Sequence, residues 1–242
     1  QEVVIDEFSL LFASGKVLLD GKMEDYTNNR KFLVNVSLED ILLQDILPAE
    51  QLPVEIEGKL AGKFSLYGLG FADVEFKKSL YGETNLEITE AKLKNFNILK
   101  ILLDKVTILP NLSDNLYNNL PQEYKKIFDS KDTSVPSVEL KTILRDGELN
   151  ILNFKLDADS FVVTSKGTFD LERILKVDQP HFFIKTDLSQ RIISAIPEFA
   201  YLQNTDNQIH FPLVPYKGLV QNFKTYPDIA YIGERVAKDI VK

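Results

Sequence analysis

The chain has no cysteine and only two histidines in 242 residues. Without thiols there is no disulfide, no thiolate zinc site and no cysteine nucleophile. The absence does not fix a compartment, because oxidising and reducing ones both hold cysteine-free proteins. Positive charge is also in short supply: 28 lysines and arginines face 36 acids, leaving a net charge of −8. A nucleic-acid binder needs the opposite balance, since phosphate neutralisation supplies most of its affinity. No apolar run approaches the roughly 18–20 residues of a membrane-spanning helix. The opening "QEVVID" lacks both the basic and the apolar segment of a signal peptide. It begins directly in a strand-like pattern, the expectation for a piece of a longer protein.

What is present is ordinary globular chemistry, 44% hydrophobic and 26% charged, which argues against wholesale disorder. Its organisation is a strand every few residues. In "SLYGETNLEITEAKLKNF" (79–96), Leu86 and Ile88 alternate with Glu83, Asn85, Glu87 and Thr89. Period two marks a strand with one apolar and one wet face. The same signature predicts strands over 2–13, 16–26, 31–38 and 54–68, and three more within 133–171, turned at "RDGE" and "DADS". Further strands are expected at 181–188 and, broken by prolines and so placed at an edge, within 207–223.

Helical spacing predicts helices over 97–109 and 113–128, the second broken or kinked at Pro121. A helical turn or two over 189–196 closes at Pro197, and an amphipathic helix over 226–242 uses Ile229, Ile232, Val236 and Ile240. The period also changes at "SLEDILLQDILP", where Ser37 and Asp40 resemble a capping box ahead of Ile41, Leu42 and Ile46. The stretch 70–80 is read as a short helix. No low-complexity linker divides the chain, so a single β-rich α+β domain over 1–242 is the economical organisation.

Motifs for chemistry are scarce. There is no nucleophile elbow, zincin, Walker A or EF-hand pattern, and "GLGFAD" (68–73) fails at the third glycine of a dinucleotide fingerprint. His181 and His210 are far apart in sequence and lack further ligands, so they read as surface or packing residues; no metal or cofactor is expected. Glu55 with Glu57, and Asp157 with Asp159, share a strand face, but acid–base work needs a raised pKa, and a solvated face is the plainer reading. The chain is therefore expected not to be an enzyme.

The positive signal is geometric. Nine or ten one-sided strands outnumber the few helices available to cover them. In "GELNILNFKLDADSFVVTSKGTFDL" (147–171), Leu149, Ile151, Phe161, Val163 and Phe169 should share one face, with Lys166 and Thr168 on the other. Either helices and a folded-over sheet close an ordinary core, or part of the face stays open as an apolar groove suited to an acyl chain. In the second case Leu86, Ile88, Leu149, Ile151, Phe161, Val163 and Phe169 are the lining candidates. Periodicity does not choose between these accounts.

The order of phrases adds a resemblance. "FKKSLYGETNLEITEAKLKNFNILKILLDKV", then "VELKTILRDGELNILNFKLDADSFVVTSKGTFDLE", then "NQIHFPLVPYKGLVQNFKTYPDIAYIGERVAKDIV" together resemble successive blocks of the AsmA family. The blocks span most of 64–242, with 1–63 fitting more weakly. Ala91 stands where the family usually has glycine, and Phe223 where it usually has proline. The resemblance implies a curved, largely antiparallel β-sheet forming an open groove or half-barrel, with short amphipathic helices covering its ends or one face. It also implies a non-enzymatic lipid-binding or lipid-transfer module of the bacterial envelope that holds phospholipid and contributes to outer-membrane biogenesis. Such a protein is periplasmic and tethered to the inner membrane by a segment outside this chain. The alternative is a structural or assembly factor that binds envelope proteins through a sheet edge or helix face.

Overall fold

The computed structural model describes residues 2–25, 27, 30–47, 54–70, 76, 79–106, 112–170 and 173–237. Its frame is an 11-stranded antiparallel sheet in which sequence neighbours are also spatial neighbours, from β1 to β10 in order. The strands are β1 (Glu2–Phe12), β2 (Gly15–Glu24), β3 (Lys31–Leu42), β4 (Glu55–Leu69), β5 (Tyr81–Lys94), β6 (Thr133–Arg145), β7 (Glu148–Asp157), β8 (Phe161–Asp170), β9 (Ile174–Ile184), β10 (Ile209–Pro212) and β11 (Tyr216–Leu219). β10 and β11 lie end to end along the outer edge of β9. The sheet is open rather than closed into a barrel. An up-and-down order follows from tight turns: β6 and β7 reverse over Asp146 and Gly147, both with positive φ (53° and 78°), as a two-residue hairpin demands.

Directly opposite residues on neighbouring strands point to the same side of a sheet, so the register tracks one face across the whole width. Starting from Val3, Ile5, Phe8 and Leu10 on β1, the ladder leads to Met23, Gly21, Leu19 and Val17 on β2. It continues to Phe32, Val34, Val36 and Leu38 on β3, then Leu66, Phe64 and Leu60 on β4. Leu86 and Ile88 on β5 follow, then Leu140 and Val138 on β6 and Phe154 and Leu156 on β7. The opposite side carries Lys63, Ser65, Glu83, Asn85, Glu87, Lys141, Glu139, Asn153 and Lys155. Ion pairs tie parts of it together, such as Lys155–Asp157 at 3.2 Å and Lys176–Asp178 at 3.0 Å, each worth little at a solvated surface.

The helices gather at one end of this sheet. After the four-residue α1 (Leu43–Ile46) come α2 (Ile98–Asp104), α3 (Leu112–Asn119) and α4 (Gln122–Asp129), all between β5 and β6. α5 (Thr186–Ala195), a 3₁₀ turn (Pro197–Leu202) and α6 (Ile229–Ala237) complete the cap. Together they bury Leu99, Leu103, Leu116, Phe128, Ile192, Phe199 and Ile232 against Ala91, Val135, Phe161, Phe182, Ile184, Ile209 and Phe211 of the strands. The Phe161 and Phe182 rings stack at 4.6 Å, and Phe199 meets Phe211 edge-on at 6.0 Å.

Polar side chains hold the cap in place. The Asn97 carbonyl caps α2 by accepting from the Lys100 N–H at 2.9 Å, while its amide donates to the Ile127 and Ser130 carbonyls at the end of α4. The fully buried Ser189 hydroxyl donates to the Ile184 carbonyl at 2.8 Å and accepts from the Ile209 N–H at 2.9 Å, joining α5 to two strands.

Several expectations shift. The helix expected over 37–46 is mostly strand: β3 runs on to Leu42, Ile41 lies opposite Leu60 at 2% exposure, and α1 has no side-chain cap. The cause is a bulge between Leu38 and Ile41, with Asp40 at φ 53°, which puts consecutive inward residues three apart as a helix does. β9 starts at Ile174, earlier than expected, and continues past a second irregularity between Asp178 and His181. α5 starts at Thr186, so the expected strand over 181–188 stops at Ile184. Pro121 does separate α3 from α4. Most of 70–80, together with Leu109 and Ile240, lies outside the described residues.

Candidate functional site

The apolar face is one continuous surface with two different fates. Under the helical cap it joins the core: Phe161 is 1% exposed, and the partly buried Ile88, Val138, Leu156 and Val163 pack against the buried cluster. Phe161 thus belongs to the closed floor and does not line an open wall. Further along the same strands, Leu86, Leu149, Ile151 and Phe169 are half-buried and stand outside that cluster. The register unites the two groups. Leu149 lies opposite Phe169 and Ile151 opposite Gly167, while Leu156 lies opposite Val163, with the β7 bulge between Ile151 and Phe154 keeping both halves on one side.

Close strand approach at Gly167 supports that register. A Cβ there would come within 2.0 Å of the Lys176 carbonyl oxygen on β9. Beyond β4 the face widens onto β1, where Val3, Phe8 and Phe12 are each about half exposed (52%, 52% and 50%). Every residue of β1 is exposed, and β2 is its one strand partner among the described residues. At the end of the sheet away from the cap, Phe76 leans on the Phe32 ring at 5.9 Å and closes part of the floor of β3.

The titratable candidates are held by structural partners. Glu55 and Glu57 both pair with Lys94, Glu55 at 3.0 Å, and the two carboxylates raise the lysine's pKa. Asp157 sits between Lys155 and Lys185, the latter at 2.7 Å; burial pushes its carboxyl up, but the two lysines outweigh this and hold it below the usual carboxylate range. Asp159 lies beyond the end of β7, in the turn before β8, so it does not act as that strand's second acid. Asp157 is thus held ionised, the opposite of what a general acid needs. A cleft of about 220 Å³ between α2, α4 and the β7–β8 turn is rimmed by Asn97, Lys126, Asp132 and Asp159. Its polar groups serve the fold: the Asp132 carboxylate accepts the Asn95 N–H at 2.8 Å and pairs with Lys92 at 2.9 Å.

Sequence reasoning kept His181 and His210 apart, and the structure joins them. Their Nδ1 and Nε2 atoms lie 2.9 Å from each other where β10 runs beside β9, and Phe183 stacks on the His210 ring at 4.7 Å. Burial, then the neighbouring His181 and Arg235, lowers the His210 pKa to about 4. No cluster of three or more metal-ligating side chains occurs among the described residues. No helix among them is long and apolar enough to cross a membrane. No family model, curated protein or solved structure matches the chain.

Proposed function

We propose that the chain is a non-enzymatic lipid-binding or lipid-transfer module whose apolar sheet face holds phospholipid acyl chains. The observation that carries this reading is the unbroken apolar face from β1 to β9, of which the described helices cover one end. Exposed apolar surface on this scale is rare without a ligand or partner. An acyl chain supplies what the face needs, since each buried methylene contributes roughly 0.8 kcal/mol. A chain of about sixteen carbons gains on the order of 10 kcal/mol before entropy, and less where one side stays in water. In line with the AsmA resemblance, we place the module in the periplasm of a bacterial envelope, in a protein tethered to the inner membrane and contributing to outer-membrane biogenesis. Native mass spectrometry and lipid extraction of detergent-free protein test the reading. Co-purified phospholipid, or uptake of a fluorescent fatty acid, is the expected result. A lipid-free protein that takes up neither refutes it.

One observation favours a second reading, that of an assembly factor. β1 is an exposed, apolar edge strand of eleven residues, the kind of edge that accepts another strand. On this reading a reproducible protein crosslink maps to 2–12 and no lipid co-purifies.

A further inference from the structure

The exposed apolar residues are not confined to the sheet face. After β11, Leu219 (40% exposed), Val220 (44%), Phe223 (43%) and Tyr226 (48%) project from one short segment built around a 3₁₀ turn at Val220–Asn222. The segment is fixed in place rather than loose. The Val220 N–H donates to the Arg173 carbonyl at 3.1 Å, the Tyr216 hydroxyl donates to the Leu219 carbonyl at 2.7 Å, and the Phe223 ring meets Tyr216 edge-on at 5.2 Å. Tyr216 lies opposite Val177 on the apolar side of β9 and holds the Phe223 ring there, whereas Leu219, opposite Ile174, points to the other side, so the segment forms a lip around the β11 edge of the open face.

The charge around the lip is unlike the rest of the molecule. In a chain of net charge −8, the stretch from Gln208 to Pro227 contains no aspartate or glutamate, yet it carries Lys217 and Lys224, both exposed. Arg173 adds an exposed cation beside it; of the neighbouring acids, Asp178 is engaged by Lys176 at 3.0 Å and the Asp170 carboxylate accepts the Ile174 N–H at 2.9 Å. Just past the stretch, the Asp228 carboxylate accepts the Tyr231 N–H at 3.1 Å. Another exposed apolar stretch, β1, carries Glu2, Asp6 and Glu7 and no cation of its own.

We propose that Leu219, Val220, Phe223 and Tyr226, flanked by Lys217 and Lys224, are a docking lip for an anionic phospholipid surface. Apolar and aromatic tips between lysines are the chemistry that settles at a headgroup–acyl boundary. The lip rests on the lipid-binding reading, to which it adds the place where the loaded face meets a bilayer. There a lipid crosses from the sheet to the membrane at the β9–β11 edge without traversing open water.

The test is flotation of the full chain with vesicles of phosphatidylglycerol and phosphatidylethanolamine, against vesicles of phosphatidylcholine alone. Binding to the anionic vesicles and little to the neutral ones is expected. Lys217→Gln with Lys224→Gln should weaken partitioning roughly 30-fold, at about tenfold per 1.4 kcal/mol and about 1 kcal/mol per lysine. Leu219→Ser with Phe223→Ser should abolish flotation; both side chains are exposed, so the melting temperature should hold. If that double variant melts early, the lysine variants decide alone. Equal binding to both vesicle types, or lysine variants that float like the parent, overturns the lip. Lipid load measured in parallel separates the two readings. A lip variant that keeps co-purified lipid but loses flotation upholds both, whereas a lipid-free parent that still floats removes only the groove.

Discussion

A carboxylate introduced at two points on the same apolar face should have two different consequences. Val163 lies opposite Leu156 on one side and Phe182 on the other, and Phe182 is 1% exposed beneath the helical cap. Val163 is partly buried but packs on that core, so glutamate there sets a charge against it with no cation opposite, which costs about 3 kcal/mol or more. Leu149 lies opposite Leu144 and Phe169, is half-buried, and stands outside the capped cluster. There a carboxylate keeps contact with water, and the loss is close to half a leucine's burial, about 1 kcal/mol. For a chain of this size each kcal/mol moves the melting temperature by about 2–4 °C. Val163→Glu should therefore lower it by on the order of 10 °C, and Leu149→Glu by only about 2–4 °C. Lipid load by native mass spectrometry, taken on the same samples, should fall for Leu149→Glu in protein that is still folded. If Leu149→Glu melts as early as Val163→Glu, the face beyond the cap is sealed like the core. If it keeps full lipid load, that part of the face does not hold lipid.

Three other outcomes can be checked with the same purified protein. His210 has a folded-state pKa of about 4, below its ordinary 6.5, so the stability tied to its neutral form is complete above pH 6.5 and is lost as pH falls toward 4. Discounted for a half-exposed ring, the loss is about 1–2 kcal/mol, and a His210→Gln variant should show a flatter melting profile between pH 7.5 and 4.5. Gly167→Ala should lower the melting temperature by several degrees, because its methyl would sit 2.0 Å from the Lys176 carbonyl oxygen; an unchanged melt would mean that the β8–β9 ladder relaxes there. Ile5→Lys in β1 should leave the melting temperature within about 2 °C, since the side chain is 47% exposed, while suppressing any concentration-dependent association seen by light scattering.

The strands were legible because their two faces differ so sharply: Leu86 and Ile88 against Glu83, Asn85 and Glu87 allow no other period. The reading broke where a strand breaks its own alternation. Between Leu38 and Ile41 the bulge inserts a residue, and the inward spacing of three, with Ser37 and Asp40 nearby, imitates a helix start. The start of β9 was hidden similarly, by Pro180 and the irregularity between Asp178 and His181. The meeting of His181 with His210 has no local signal at all, because α5 and a 3₁₀ turn separate them in the chain before β10 returns to β9. The shared face of Leu149, Ile151, Phe161, Val163 and Phe169 could be derived from alternation. Its division into capped and uncapped lengths could not, because that depends on which strand ends the helices leave from.

That division has a physical consequence for how such a module can work. The connections that carry α2 to α5 leave from the β5–β6 and β9–β10 ends of the sheet, so the helices collect over one end of the face. The aromatic cluster of Phe161, Phe182 and Phe211 lies at that same end, together with the buried Ser189 that joins α5 to β9 and β10. Most of the fully buried large side chains, from Leu99 to Ile232, belong to that cluster. Stability is therefore concentrated where the face is closed, and the open length is carried by backbone ladders anchored to it. On the proposed lipid-binding reading, a sheet built this way would exchange an apolar ligand along β6 to β8 without opening its core. In amide exchange, the slowest protons should accordingly lie in β9, β10 and α5, with those of β1 and β2 exchanging first. Uniform protection across all eleven strands would instead mean that the apolar face is sealed along its whole length.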